Sequence, residues 1–132
     1  MTPEKKILEI LRKALVESAA VQAYVGDRVY TQHISTMENP TYPAISFFIL
    51  ISKPGAYVPL SRMVVQIDFW FKDGPVDVMM ECREAVRTVL HNNPTLDSSI
   101  KCILEEDVGP MLYEQETQVY HLPMRYNIME IV

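Results

Sequence analysis

The sequence predicts an α+β domain: an antiparallel sheet of about four strands packed against two main helices, in the order α-(short α)-β-β-α-β-β. Three observations carry this. Residues 2–17 and 75–91 repeat apolar side chains at helical spacing. Arg62 to Phe71 and Val119 to Ile131 alternate with the period of a strand. The length, 132 residues, suits one domain that can bury a core without a metal or disulfide.

Taken in order, Thr2 caps the first helix, Pro3 suits its first position and Glu4 favours the positive end of its dipole. Leu8, Leu11 and Leu15 form its apolar stripe, with Ile7 and Ala14 beside them. Ser18 starts a short second helix that Gly26 ends. Val29 and Tyr30 open an ordered excursion, since Asn39-Pro40 and Tyr42-Pro43 bias the chain toward extended conformations. Ala44 to Ser52, apolar on both faces, is expected to be a central strand. A long connection, Lys53 to Leu60, joins it to Arg62–Phe71 as a hairpin. In that second strand Met63, Val65, Ile67, Phe69 and Phe71 point one way, and Arg62, Gln66, Asp68 and Trp70 the other.

Pro75 opens the second long helix, with Met79, Cys82 and Val86 on its buried stripe, and Asn92-Asn93-Pro94 stops it near His91. Two strands follow: Lys101 to Glu106, with Tyr113 as its outer limit, and Val119 to Ile131. Tyr120, Leu122, Met124, Tyr126 and Ile128 share one face of the last. Pro123 lacks a ladder donor, so this strand is expected at an edge or bulged there.

Composition excludes several classes. With 48% hydrophobic and 22% charged residues the chain reads as globular, not disordered. A net charge of −5 argues against a nucleic-acid-binding domain, whose footprint is basic. Apolar runs fall far short of the ~20 residues of a membrane span, and the charged N-terminus is no signal peptide. Cys82 and Cys102 lack metal or redox spacing and read as reduced thiols of a cytoplasmic protein.

The acidity is local. Residues 1–96 carry equal numbers of acids and bases, so the whole −5 lies in the last 36 residues. Glu105, Glu106, Glu114 and Glu116 are the candidates for a functional acidic surface; the plain alternative is a solvated turn. Glu105-Glu106-Asp107 reads as solvated more than as a cation site, because adjacent strand residues point to opposite faces and three in a row converge only at a bulge. His33, His91 and His121 have no ligand spacing, the glycines form no phosphate-binding loop, and no serine stands in a nucleophile elbow. The expectation is no enzyme, no metal and no cofactor. Trp70, Tyr42, Tyr57 and Met37 are candidate protein-contact residues, since aromatics and Met are enriched in interface cores. For Trp70 the alternative is packing under a helix of its own domain.

Several segments in order resemble the small tail-completion proteins of long-tailed bacteriophages, the family that includes tail terminators and, more loosely in fold, the terminator of phage lambda. They are Val25-Gly26-Asp27-Arg28-Val29-Tyr30, Tyr42-Pro43-Ala44-Ile45, Val65-Gln66-Ile67-Asp68-Phe69-Trp70-Phe71 and Ala85-Val86-Arg87. Glu105-Glu106-Asp107, Leu112-Tyr113-Glu114 and Thr117 complete the pattern. One departure is the loop Val108-Gly109-Pro110-Met111.

The resemblance implies a structural virion protein at the head-proximal end of the tail, assembled in the bacterial cytoplasm. It would cap the tail tube, commonly as a homo-hexameric ring, and supply the surface to which the head-tail connector binds. DNA would pass through without specific binding, and no membrane is involved. An acidic final hairpin facing the bore would repel that DNA. Another neck component, such as a head-tail adaptor, and a dimeric ligand-binding regulatory module are the alternatives.

Overall fold

A computed structural model describes residues 2–31, 40–54, 60–72, 76–93 and 95–131. Met37 and Tyr57 lie outside them. The element order is α1 (Pro3–Glu17), α2 (Ala19–Val25), β1 (Val29–Tyr30), β2 (Ala44–Pro54), β3 (Leu60–Phe71), α3 (Val76–Leu90), β4 (Ile100–Val108), β5 (Leu112–Glu114) and β6 (Val119–Ile131).

Side chains close the helix ends. Thr2 Oγ1 accepts from the Lys5 amide at 3.2 Å, and Ser18 Oγ from the Val21 amide at 3.3 Å. Ser18 thereby ends α1 and starts α2 in one residue. Gly26 follows α2 at φ +60°, where a side chain would be strained. α1 buries Ile7, Leu11 and Leu15, α2 buries Val21 and Val25, and α3 buries Met79, Cys82, Val86 and Leu90. Burial pushes the Cys82 thiol up to about 12, which keeps it protonated.

The sheet differs in detail from the four-stranded antiparallel expectation. It is six-stranded and mixed, in the order β1-β2-β3-β6-β4, with β5 also pairing to β6. β1 is the added parallel member, through Val29↔Ile45 and Tyr30↔Ser46. Its two residues are held by the Ile45 amide on the Arg28 carbonyl at 2.9 Å and by Arg28 Nε on the Pro43 carbonyl at 2.8 Å. β2 has β1 beside it only at Ile45 and Ser46, so most of that strand is an edge, not central as its apolar character suggested.

β6 is not an edge strand either. It pairs with β3 without interruption from Phe71↔Tyr120 to Leu60↔Ile131. The missing donor of Pro123 faces the other neighbour. A strand residue aims its N–H and C=O at the same side, and the Pro123 carbonyl accepts from the Gly109 amide at 2.8 Å. Opposite it the outer strand breaks at residues 109–111, separating β4 from β5.

The predicted alternation sets the core. Met63, Val65, Ile67 and Phe69 of β3 and Leu122, Met124, Tyr126 and Ile128 of β6 form one cluster with the buried residues of all three helices. The opposite sheet face carries Ser46, Val64, Asp68, Trp70, Arg125 and Met129, and among the described residues no helix covers it.

A Cβ at Gly109 would stand 2.6 Å from Cγ of Pro123, inside van der Waals contact with a rigid ring. Gly109→Ala is expected to lower stability by about 1–3 kcal/mol, read from urea unfolding midpoints; an unchanged midpoint would show that the β4–β5 break yields freely.

Candidate interaction surfaces

Of the four aromatic and Met candidates, two can be placed. Trp70 projects from β3 on the face away from the helices, yet only 2% of its surface is exposed. Its indole N–H donates to Ser46 Oγ at 2.8 Å, and the His121 ring stacks on it at 4.0 Å and 5°. Ala44 and Val119 bury it further, with Tyr30 and Tyr42 packed alongside. Among the described residues cross-strand neighbours on its own face enclose it and no helix packs over it, so little of its surface is left for a partner. Asp68, 1% exposed, accepts from Gln66 Nε2 at 3.0 Å and from His121 Nε2 at 2.7 Å. Ser46, Asp68, Trp70 and His121 thus link β2, β3 and β6. Sequence reasoning missed this network; its signal was the polar pair Gln66 and Asp68 leading to Trp70 on one face of β3. Ser46 is 1% exposed and so cannot meet a substrate.

Tyr42 lies half-buried over that cluster, joined to Pro43 by a cis peptide. Desolvation and then the Glu114 carboxylate raise its hydroxyl pKa, which places Glu114 nearby. Tyr42 also lines a groove with Lys72, Glu116, Thr117 and Val119. Glu114 and Glu116 are exposed in the β5–β6 arm, so Tyr42 and half of the acidic candidates gather at one end of the sheet.

Glu105 and Glu106 part company. Glu105 stands opposite Tyr126, on the core side, and its side chain is 11% exposed. Arg83 Nη2 donates to it at 2.8 Å, and the Tyr126 hydroxyl at 3.2 Å. Its own amide donates to Nδ1 of His91 at 3.0 Å, so that ring nitrogen carries no proton. Burial, then Glu105, raises the Tyr126 hydroxyl pKa. Strand alternation turned Glu105 toward α3, so it does not belong to a solvated acidic surface. A bulge between Glu105 and Asp107 leaves Glu106 exposed beside the bare face.

That bare face has its own character. Ile51, Val64, Asn127 and Leu104 align across four strands. Leu50, Ile51, Leu104 and Met129 are each 38–45% exposed. A dent of about 120 Å³ over Leu50, Ile51 and Val64 is rimmed by Lys53, Arg62, Arg125 and Glu106.

At the far end of β6, Glu130 is 2% exposed, and its Oε2 finds no hydrogen-bond partner among the described residues. Desolvation raises its pKa; Lys6 opposes this, and Asp97 and Glu4 add to it. Among the described residues no three His, Cys, Asp or Glu side chains are placed to hold a metal ion, and no helix is long and apolar enough to cross a membrane.

These features define a class: a two-layer α+β domain whose polar network is internal and whose bare sheet face carries half of its exposed large apolar residues among those described. The chain belongs to the tail completion protein gp17 family, whose model matches residues 9–130. It is thus a tail-completion protein, in a family of structural virion components. A chain of the virion of a native gene transfer agent particle shares the fold, with a TM-score of 0.77 at 10% identity over 98% of each chain. A search of curated proteins finds no match.

Two outcomes check the charge assignments. Glu105→Ala, which strands Arg83 and the Tyr126 hydroxyl, is expected to cost about 1–3 kcal/mol, whereas Glu106→Ala stays within about 0.5 kcal/mol; equal urea midpoints would refute the distinction. For Glu130 the folded-state pKa lies above the unfolded one, so its contribution is fully present below the unfolded carboxylate pKa, near ~4.3. That contribution is lost as pH rises through the folded value. Glu130→Gln should therefore gain stability relative to the parent as pH rises from about 4 toward 7; a difference flat across this range in urea titrations would contradict the assignment.

Proposed function

We propose that this chain caps the phage tail tube and forms the joining surface to the head connector, acting as a ring of identical subunits. Membership of the tail-completion family is the observation that carries the reading. The physical features agree with it. A closed ring of like subunits needs two different patches on each. The bare sheet face with its 38–45% exposed Leu50, Ile51, Leu104 and Met129 is one surface that gains by being covered. The exposed acidic tip, Glu114 and Glu116, together with Glu106, is available to face a bore and repel passing DNA. Glu105, engaged by Arg83, contributes nothing to that charge.

Phage particles assembled without this chain test the proposal. Heads and tails are expected to accumulate unjoined, and the purified protein should bind the isolated tails and restore joining in electron micrographs. Binding to tail-free heads instead would make it a head-side adaptor, and normal joining in its absence would refute the reading.

A further inference from the structure

Most of the exposed large apolar residues fall on two surfaces. Among the described residues Leu50, Ile51, Leu104 and Met129 lie on the bare sheet face, and Val76 and Met80, 44% and 42% exposed, lie on the exposed part of α3, while Leu112 and Tyr113 stand apart on β5. These two surfaces are on opposite sides of a two-layer domain, since α3 packs its buried stripe against the other side of the sheet.

Their charges are opposite too. The apolar band of the sheet is flanked by Lys53 and Arg62 at one side and Arg125 at the other. Glu106 and Asp107 sit only at its β4 margin, where Asp107 meets Arg125 at 3.9 Å, both about half exposed. The outer side of α3 carries Asp77, Glu81 and Glu84, all exposed. Arg83 and Arg87 share the helical stripe of Val76 and Met80, and both lean toward Glu105, at 2.8 and 3.8 Å. Glu84 reaches them only loosely, at 3.9 Å, and Glu81 accepts from the Tyr24 hydroxyl at 3.2 Å. Between α2 and α3 runs a shallow trough floored by Ala20, Ala23 and Ala85, small enough for a neighbour to come close.

We propose that α3 of one copy docks on the bare sheet face of the next, head to tail. Val76 and Met80 then meet the Ile51–Leu104 band, and Asp77, Glu81 and Glu84 meet Lys53, Arg62 and Arg125. The sheet becomes covered on both faces, by its own helices and by a neighbour's, which is the layering that apolar sheet faces favour. Because the two patches are different, the contact repeats from copy to copy, and a repeating heterologous contact makes a ring when the rotation between copies closes. Two bare faces stacked on each other would instead place Lys53, Arg62 and Arg125 against the same residues. The inference rests on the ring reading above and names its interface.

Charge reversal tests it in solution. The parent is followed by sedimentation up to about 1 mM, beside Arg62→Glu/Arg125→Glu and Glu81→Lys/Glu84→Lys. Each double variant is expected to self-associate roughly 100-fold more weakly, because like charges then oppose. Mixing the two should restore assembly, since every contact is again complementary. Leu104→Asn should weaken the contact without changing charge, and unaltered circular dichroism confirms folding.

A parent that assembles while both variants match it overturns the interface and leaves the ring reading standing. Loss in the sheet-face variant alone indicates stacked bare faces and overturns the proposal. A parent monomeric throughout, yet able to restore head–tail joining, overturns the self-contact and leaves the tail role intact. Normal assembly with failed joining refutes the tail role alone.

Discussion

Twelve consecutive residues of β3 pair with β6 without a bulge or gap, from Leu60↔Ile131 to Phe71↔Tyr120. Every irregularity of the sheet lies elsewhere: a shift in β2 between Ile49 and Ile51, two in β4, and the break before β5. This ladder decides which side chains face which way on four strands at once. A slip of one residue would exchange the core row of Val65, Ile67 and Phe69 for Val64, Gln66 and Asp68. The internal network of Ser46, Asp68, Trp70 and His121 exists only in this register, since Asp68↔Ser46 and Trp70↔His121 are its cross-strand partners.

Much of the architecture was legible where a pattern ran long enough. The helix stripes of Leu11 and Leu15 and of Met79, Cys82 and Val86, and the alternation from Met63 to Phe71, all describe the real core. What eluded sequence reasoning depended on partners distant in the chain. β1 has two residues, too few for any period, and exists because Arg28 and Ile45 meet. Pro123 announced a missing donor but not the side from which it was missing. Trp70 stood out as an aromatic on a polar face, and only the pairing of β3 with β6 brings His121 over its ring.

The acidic candidates teach the same point with charges. Glu105 and Glu106 are indistinguishable as residues, yet alternation places one against Arg83 and the other in solvent. The segments that carry the family resemblance divide in a related way. Arg28 and Pro43, from two of them, are joined by a hydrogen bond that seats β1, so those motifs serve the fold. Others, such as Leu112 and Tyr113, stay exposed, as do Leu50, Ile51 and Met129, which none of those segments contains.

The interrupted outer strand has a consequence for how such a subunit can be stored at high concentration. A long straight sheet margin invites strand addition from another chain and, repeated, leads to fibres. Here the margin is kinked by the bulges of β4 and broken opposite Pro123, and the other border is the two-residue β1 followed by the rest of β2, which has its own register shift between Ile49 and Ile51. Each border is interrupted by at least one irregularity, which shortens any row of free donors and acceptors and so discourages cross-β aggregation through the backbone. Copies can accumulate at high local concentration during particle assembly with their side-chain surfaces, not their backbones, deciding what they join.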